Sequence, residues 1–423
     1  MKAYKKRIAD DILQFKLESK GAVLIEGAKW CGKTTTAKQK AKSVVSMQNQ
    51  DDADNNIRMA NLKPSALLTG AAPRLIDEWQ VAPVLWDAVR YEVDQRDQFG
   101  QFILTGSAVP ADISKIFHTG TGRITRMLMR PMSLFESGES NGSVSLSDLF
   151  NGQADIEGQS NIDLDRLCFL ICRGGWPKAL DCSERVALVQ ALDYYDGVIN
   201  SDISRVDNVE RNKDRAARLL RSYARAIASQ TKISSIIQDI QSNEASQISE
   251  GTVTSYINAL KQIFLIEDAP AWNPNLRSKA AIRTSDTRYF TDPSIGTAAL
   301  GLGINDLKND LNTAGVLFEN LCVRDLRIYA EALDGKVYHY RDSNDLGCDA
   351  VIHLRNGSYG LVEIKLGGQD LIDAGIKTLN KLSDKLDTTR MKAPAFKMVL
   401  VGIGKYAYKN KDVFIVPVGC LKN

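Results

Sequence analysis

The residues best equipped for chemistry are Gly27-Ala28-Lys29-Trp30-Cys31-Gly32-Lys33-Thr34. Glycines flanking such a bend let successive backbone N–H groups turn inward on a phosphate. The lysine after the second glycine places an ammonium on the outer phosphates, and the hydroxyl that follows suits a magnesium ion. The apolar run Ala22-Val23-Leu24-Ile25 enters the bend, and a helical run from Thr34 to Val44 leaves it. The bend therefore sits at a helix N-terminus, where unpaired donors and the helix dipole favour an anion. Gly27, Gly32, Lys33, Thr34 and Thr35 are the candidate nucleotide-binding residues, for ATP carried with Mg2+, and Thr34 is also a candidate metal ligand.

Two further segments extend this chemistry. Arg74-Leu75-Ile76-Asp77-Glu78 reads as a short apolar strand ending in two acids. Asp77 suits the Mg2+ shell, and Glu78 suits the orientation of an attacking water as a base. The strand Gln101-Phe102-Ile103-Leu104 leads into Thr105-Gly106-Ser107, placing the Ser107 hydroxyl as a candidate near the γ-phosphate. Phosphoryl transfer also needs positive charge on its transition state. Arg123 is the candidate for that catalytic role, with Arg126 beside it, acting within the chain or across a subunit contact; a solvated surface role is the alternative.

A second constellation lies near the C-terminus. Asp349, thirteen residues and then Glu363-Ile364-Lys365 match the D…E-x-K pattern of metal-dependent nucleases. There two carboxylates hold Mg2+ and the lysine activates water or stabilises the leaving charge. A two-residue Asn356-Gly357 turn places Asp349 opposite Ile364. A three-residue loop, Arg355-Asn356-Gly357 with Gly357 left-handed, places it opposite Glu363. The second register sorts Cys348, Ala350, Ile352, Leu354, Gly360, Val362 and Ile364 from Asp349, His353, Glu363 and Lys365, and is preferred. A nuclease-shaped fold used for docking, its charges forming ordinary ion pairs, is the competing interpretation.

The elements that position these residues follow from patterning. Residues 1–135 alternate short apolar strands with helical stretches, the signature of an α/β domain with a largely parallel sheet. Ser137 to Ser160 is rich in serine and glycine without a sustained period and reads as a surface insertion or linker. A helical pattern then runs from Leu164 to Ile236, broken at Gly174-Gly175-Trp176-Pro177. Helical segments near Arg215–Ala228, Ser234–Gln241 and Thr252–Phe264, followed by the strand Leu265–Pro270, fit a winged helix-turn-helix. Its recognition helix would present Thr254, Ser255, Asn258 and Lys261. Residues 205–227 hold seven Arg or Lys against three acids and 273–288 hold four against one, suiting salt-sensitive phosphate contacts or an ordinary solvated face. Strands at Val337–Arg341, Asp349–Leu354 and Tyr359–Leu366 and a helix from Gln369 to Leu386 close the chain.

Composition narrows the classes. At 423 residues the chain has room for about three domains. No apolar run approaches the roughly 18 residues that span a bilayer, and the start lacks the apolar stretch of a signal peptide. Mean hydropathy is −0.21. Seven scattered cysteines suit a reducing compartment, and the expected location is cytoplasmic, without membrane contact. With 54 basic and 51 acidic residues the net charge is only +3, so any nucleic-acid binding rests on local patches.

Taken together, the segments resemble a family of prokaryotic AAA-type ATPases that carry the C-terminal domain DUF4143. The resemblance rests on the phosphate loop at 27–34, on Ile76-Asp77-Glu78-Trp79-Gln80, Leu104-Thr105-Gly106-Ser107 and Arg130-Pro131-Met132-Ser133-Leu134-Phe135-Glu136. It continues through Gly174-Gly175-Trp176-Pro177, Arg288-Tyr289-Phe290-Thr291-Asp292-Pro293 and Glu363-Ile364-Lys365. It implies an α/β fold with a phosphate-loop (AAA+/STAND-like) NTPase core at 1–135, and a linker and helical lid at 136–205. Beyond these it implies an α-helical winged-helix region at 206–300 and an α/β restriction-endonuclease-like (PD-(D/E)XK) domain at 301–423. Glu319 would match the extra helix acid of such nuclease folds, joining Asp349 and Glu363 around Mg2+ with Lys365 as catalytic lysine. An acid often precedes Asp349 in this family; here Gly347 and Cys348 stand there. The expected function is an ATP-hydrolysing molecular switch gating a DNA-binding or nuclease-like module. Expected partners are ATP, double-stranded DNA, and a protein partner or a second copy of the chain. The alternative is a nucleotide-gated scaffold with an inactive nuclease fold.

Overall fold

Ala22, Val23, Leu24 and Ile25 are completely buried, as a strand covered on both faces of a parallel sheet must be. The computed structural model describes residues 3–108, 117–153, 155–206, 209–242, 248–277 and 281–423. The basic residue Lys279 of the 273–288 patch lies outside the described residues. The chain divides into two compact units. The first comprises Met1–Pro131, Gly197–Lys213 and Ser255–Leu265; the second comprises Met132–Asp196, Asp214–Thr254 and Ile266–Asn423.

The first unit is built on five strands, β1 (Ala22–Glu26), β2 (Ser43–Ser46), β3 (Arg74–Asp77), β4 (Phe102–Gly106) and β5 (Ile124–Leu128). Their order is β2-β3-β4-β1-β5, and every pairing is parallel. The two-residue period of the strands divides the core. Leu24, Ile76 and Leu104 face Leu85, Trp86, Val89 and Val93 of helix Val84–Arg96. Val23, Ile25, Leu75 and Ile103 face Ala9, Leu13 and Leu17 of helix α1 (Ile8–Ser19) and Ala37 of helix α2 (Lys33–Lys40). Because β3, β4 and β1 are neighbours in parallel register, their C-terminal ends lie side by side. In open α/β sheets ligands bind at that edge. The expected mixed α/β class, with a phosphate-loop core at the N-terminus and a sheet domain at the C-terminus, is the architecture found.

The second unit holds a seven-stranded sheet. Together with β6 (Val144–Ser145), its elements are β7 (Gly158–Gln159), β8 (Gly335–Arg341), β9 (Gly347–Leu354), β10 (Tyr359–Lys365), β11 (Phe396–Val401), β12 (Tyr406–Asn410), β13 (Val413–Pro417) and β14 (Leu421–Lys422). The sheet order is β7-β12-β13-β11-β10-β9-β8, while β6 pairs separately with β14. β8, β9 and β10 are antiparallel neighbours, and β10, β11 and β13 are parallel. Helix Leu311–Ala332 precedes β8, and helix Gln369–Lys385 crosses from β10 to β11. The stretch Ser137–Ser160 is not a linker. It supplies β6, helix Leu146–Phe150 and β7, which pairs with β12, so its serines and glycines serve tight connections in a folded element. The helices expected in the middle region form at Lys213–Arg225, Ile233–Gln241 and Glu250–Gln262. Ile266 and Ala269 then bridge antiparallel to Phe290 and Thr287. The unit boundary falls between Thr254 and Ser255, so 206–300 is not a compact unit of its own.

Three of the segments that carried the resemblance meet in the second unit around one buried guanidinium. Arg324 donates to Asp292 and Asp325, both contacts at 2.7 Å, and all three side chains are essentially inaccessible. Asp292 also accepts from the Gly175 amide at 2.9 Å and from the Ser294 amide and hydroxyl at 3.0 and 2.6 Å. Asp325 accepts from the Leu134 amide at 2.9 Å, and the Trp176 indole donates to Ser294 at 3.0 Å. Buried charges hold only when such partners replace water. This network gives Gly174-Gly175-Trp176-Pro177 and Asp292-Pro293 a structural role: they fasten loops to helix Leu311–Ala332. Replacing Asp292 with alanine should cost about 3–5 kcal/mol, because it strands a buried guanidinium. A urea denaturation midpoint equal to that of the wild type would contradict this role.

Candidate active site

The phosphate loop takes its shape from three left-handed residues, Gly27 (φ 147°), Trp30 (φ 65°) and Gly32 (φ 106°). A Cβ on Gly27 would come within 2.0 Å of the Met129 carbonyl oxygen, so no side chain fits there. Buried Arg7 braces the loop from outside, donating from Nη1 to the Cys31 carbonyl and from Nη2 to the Arg130 carbonyl, each at 2.9 Å. Lys33 is buried and its Nζ donates to the carbonyls of Gly27 and Ala28, both at 2.8 Å, which curls the ammonium back into the bend. Lys29, on the same loop, reaches Asp202 of the Gly197–Lys213 segment at 2.5 Å. Thr35 is exposed on α2.

The ends of β3 and β4 complete the cluster. Thr34 Oγ1 and Thr105 Oγ1 donate to the same oxygen, Asp77 Oδ1, at 2.7 and 2.6 Å. The Glu78 amide donates back to Thr105 Oγ1 at 3.3 Å. Glu78 itself is left-handed (φ 58°), an uncommon conformation for a residue with a Cβ and one that concentrates at functional sites. Its Oε2 accepts from the Ser107 hydroxyl at 3.2 Å and from the Gln80 amide nitrogen. Gln80 Oε1 is buried with no hydrogen-bond partner among the described residues. Lys33, Thr34, Asp77, Glu78 and Ser107 are thus brought to one edge of the sheet.

Arg123 is not at that edge. The Ala22 amide bonds to its carbonyl, and β5 pairs with β1 from Ala22↔Ile124 onward, so Arg123 stands at the opposite end of the parallel strands from the phosphate loop. Its guanidinium pairs with Asp94 at 2.7 Å. The expectation that it supplies charge to this cluster within the chain is corrected by strand direction alone. Arg126 donates to Glu26 at 2.6 Å and stacks over Trp86. Sequence reading missed Thr105 as the second donor to Asp77, and with it Arg7, Lys29, Gln80 and Asp202. Gln80 lay inside a quoted segment. Asp202 and Arg7 left no local signal.

In the second unit the three-residue register holds. Val362 pairs with Ala350 and Tyr359 with His353, which sets Asp349 opposite Glu363, and Gly357 is left-handed (φ 80°). Lys365 Nζ lies between the two acids, 2.7 Å from Glu363 and 3.1 Å from Asp349. Asp349 also accepts from the Ile364 amide at 2.7 Å, and buried Tyr289 donates to Glu319 at 2.5 Å. The carboxylate face is not polar, however. Val351, Tyr359 and Leu361 share it and join the core with Ile372, Leu379 and Leu382 of helix Gln369–Lys385. Burial, with Asp349 adding repulsion, accordingly pushes Glu363 up to about 8 and Glu319 well above the usual carboxylate range. Burial alone would lower Lys365, but Asp349 and Glu363 raise it. Among the described residues, no group of three or more His, Cys, Asp or Glu side chains is arranged to hold a metal ion. No described helix is long and apolar enough to cross a membrane.

Comparison with known proteins divides the chain in three. Residues 19–137 match the family model of an AAA domain, residues 164–306 that of a domain of unknown function (DUF8612), and residues 314–421 that of a second domain of unknown function (DUF4143). No curated protein matches. Among solved structures, the Walker-type ATPase Paby2304 of Pyrococcus abyssi is similar at 14% identity with a TM-score of 0.42, over 69% of this chain and 94% of that one. The chain therefore carries an AAA domain, whose span contains the entire hydroxyl–carboxylate cluster, and ends in a DUF4143 domain.

Proposed function

We propose that the protein is a Mg2+-dependent ATPase whose nucleotide state governs the rest of the chain. The observation that carries this reading is the joint hold of Thr34 and Thr105 on Asp77, with Glu78 and Ser107 alongside. A threonine hydroxyl and a carboxylate are hard oxygen donors, so Thr34 and Asp77 suit a magnesium ion. When bound, that ion neutralises charge on the outer phosphates. The amides of the loop from Gly27 to Gly32, with Gly27, Gly32 and Thr35 framing it, and the Lys33 ammonium bind the phosphates. Glu78 orients a water whose oxygen attacks the γ-phosphorus. The bond from that phosphorus to the bridging oxygen breaks, ADP keeps the electron pair, and Glu78 takes the water proton. Ser107 holds the Glu78 carboxylate in place, and the Thr105–Ser107 turn is the segment that senses the γ-phosphate.

Two features bear on what the switch controls. Arg218, Arg221 and Arg225 are exposed along helix Lys213–Arg225, which suits salt-sensitive contact with double-stranded DNA. In the C-terminal module, the order of helix, three antiparallel strands, helix and parallel strand supports the nuclease-like reading. The Lys365 ammonium between Asp349 and Glu363 favours a second reading for that site, in which Lys365 is committed to these two acids as an ion pair and the module binds without cleaving.

For the ATPase, Lys33→Ala should abolish binding of a fluorescent ATP analogue. Glu78→Gln should retain binding and lose turnover by about 10²–10⁴-fold. Hydrolysis at the wild-type rate in both variants would place the chemistry elsewhere. For the C-terminal module, incubation of supercoiled plasmid with the wild type, ATP and Mg2+ or Mn2+ should leave the plasmid intact. Nicking that disappears in Asp349→Ala and Glu363→Ala would overturn the binding-only reading.

A further inference from the structure

With Arg123 at the far end of the sheet, positive charge supplied to phosphoryl transfer from within the chain has to come from elsewhere. Lys33 already has the phosphate-binding role above, and Arg126 is paired with Glu26. Lys29 differs from both. It leaves the phosphate loop midway between Gly27 and Gly32, its side chain is 44% exposed, and it pairs with a carboxylate from a distant stretch of the same unit. That carboxylate, Asp202, is only 14% exposed, and the segment that carries it belongs to the same unit. It ends a π-helical turn, Val198–Asp202, a rare form frequent at functional sites. The next residue, Ile203, is buried, and its carbonyl accepts from buried Arg211 at 2.8 Å. The Arg211 amide bonds to Ser204 Oγ at 3.0 Å, and its guanidinium donates to Ser255 Oγ at 3.2 Å and lies 5.6 Å from the Tyr256 ring centre.

Resting on the ATPase reading above, we propose that Lys29 is a catalytic residue that contacts the γ-phosphate and stabilises its transition state, and that Asp202 competes with the phosphate for this ammonium. A half-exposed ion pair is among the weaker attractions in a protein. A γ-phosphate brings more charge to the same ammonium, at the focus of amides that already concentrate negative charge. Transfer of Lys29 from Asp202 to the phosphate therefore follows nucleotide binding, and it frees the Asp202 segment. Arg211 links that segment to Ser255 and Tyr256, giving the phosphate state a route to helix Glu250–Gln262.

The test compares full-length wild type, Lys29→Ala, Lys29→Arg and Asp202→Asn by steady-state ATP turnover and by equilibrium binding of a fluorescent ATP analogue. Lys29→Ala should bind the analogue within about tenfold of wild type yet lose about 10²-fold or more in kcat, as expected for an interaction made in the transition state. Lys29→Arg should restore most of that loss. Asp202→Asn should bind the analogue several-fold more tightly, because the competitor is gone. A kcat for Lys29→Ala within about threefold of wild type, with only KM raised, would overturn the catalytic role. Equal impairment of Lys29→Ala and Asp202→Asn would reduce the pair to a structural ion bridge and overturn the competition. Absence of ATP turnover in the wild type would instead defeat the ATPase reading, and this proposal with it.

Discussion

One carboxylate oxygen, Asp77 Oδ1, receives two hydroxyls that arrive on different elements: Thr34 at the start of α2 and Thr105 near the end of β4. Those elements share the acid only because β3, β4 and β1 are parallel neighbours in register, with Asp77 opposite Thr105 and Thr105 opposite Ile25. The constraint is thus one of strand direction. A parallel sheet gathers the C-terminal ends of its strands on one edge, and every residue proposed to touch nucleotide belongs to that edge or to the loop leaving it. The same rule sets Arg123 apart, since the residue preceding a parallel strand belongs to the other edge.

Much of this edge was legible in the sequence because its signals are local. A glycine-flanked bend between an apolar strand and a helix, and acids or hydroxyls directly after apolar runs, need no knowledge of the fold. The C-terminal hairpin was legible for a related reason: sorting side chains by alternation chose the register that places Asp349 opposite Glu363. Where reading from sequence fell short, the missing information was long-range. The Ser- and Gly-rich stretch from Ser137 to Ser160 looked like a linker because its strand partners, β12 and β14, lie more than two hundred residues later. Asp202 carries no signal beside Lys29 in sequence. The buried surroundings of Glu363 depend on Val351 and Leu361, apolar residues on the same face, which a polar-against-apolar sorting passed over.

The two charged clusters of the molecule differ in how their charges are answered. Among the described residues, the side-chain donors to Asp77 and Glu78 are neutral hydroxyls and an amide, which leaves the acids available to a cation and to water. At Asp349 and Glu363 a lysine ammonium answers both acids, and helix Gln369–Lys385 closes over the strand that bears them, its Gly375 facing Glu363. A third arrangement, Arg324 between Asp292 and Asp325, is saturated and structural. On the proposed reading, residues of the same types serve chemistry in one place and architecture in another, according to whether their partners are charged and whether water retains access.

The central claim is that Asp77, held by Thr34 and Thr105, presents a magnesium-bearing edge to the phosphates of ATP. Calorimetric titration of ATP into the wild type and into Asp77→Asn, each with and without Mg2+, tests it directly. Mg2+ should tighten ATP binding in the wild type and have no such effect in Asp77→Asn. Equal responses of the two proteins to Mg2+, or a wild type whose affinity ignores the ion, would contradict it.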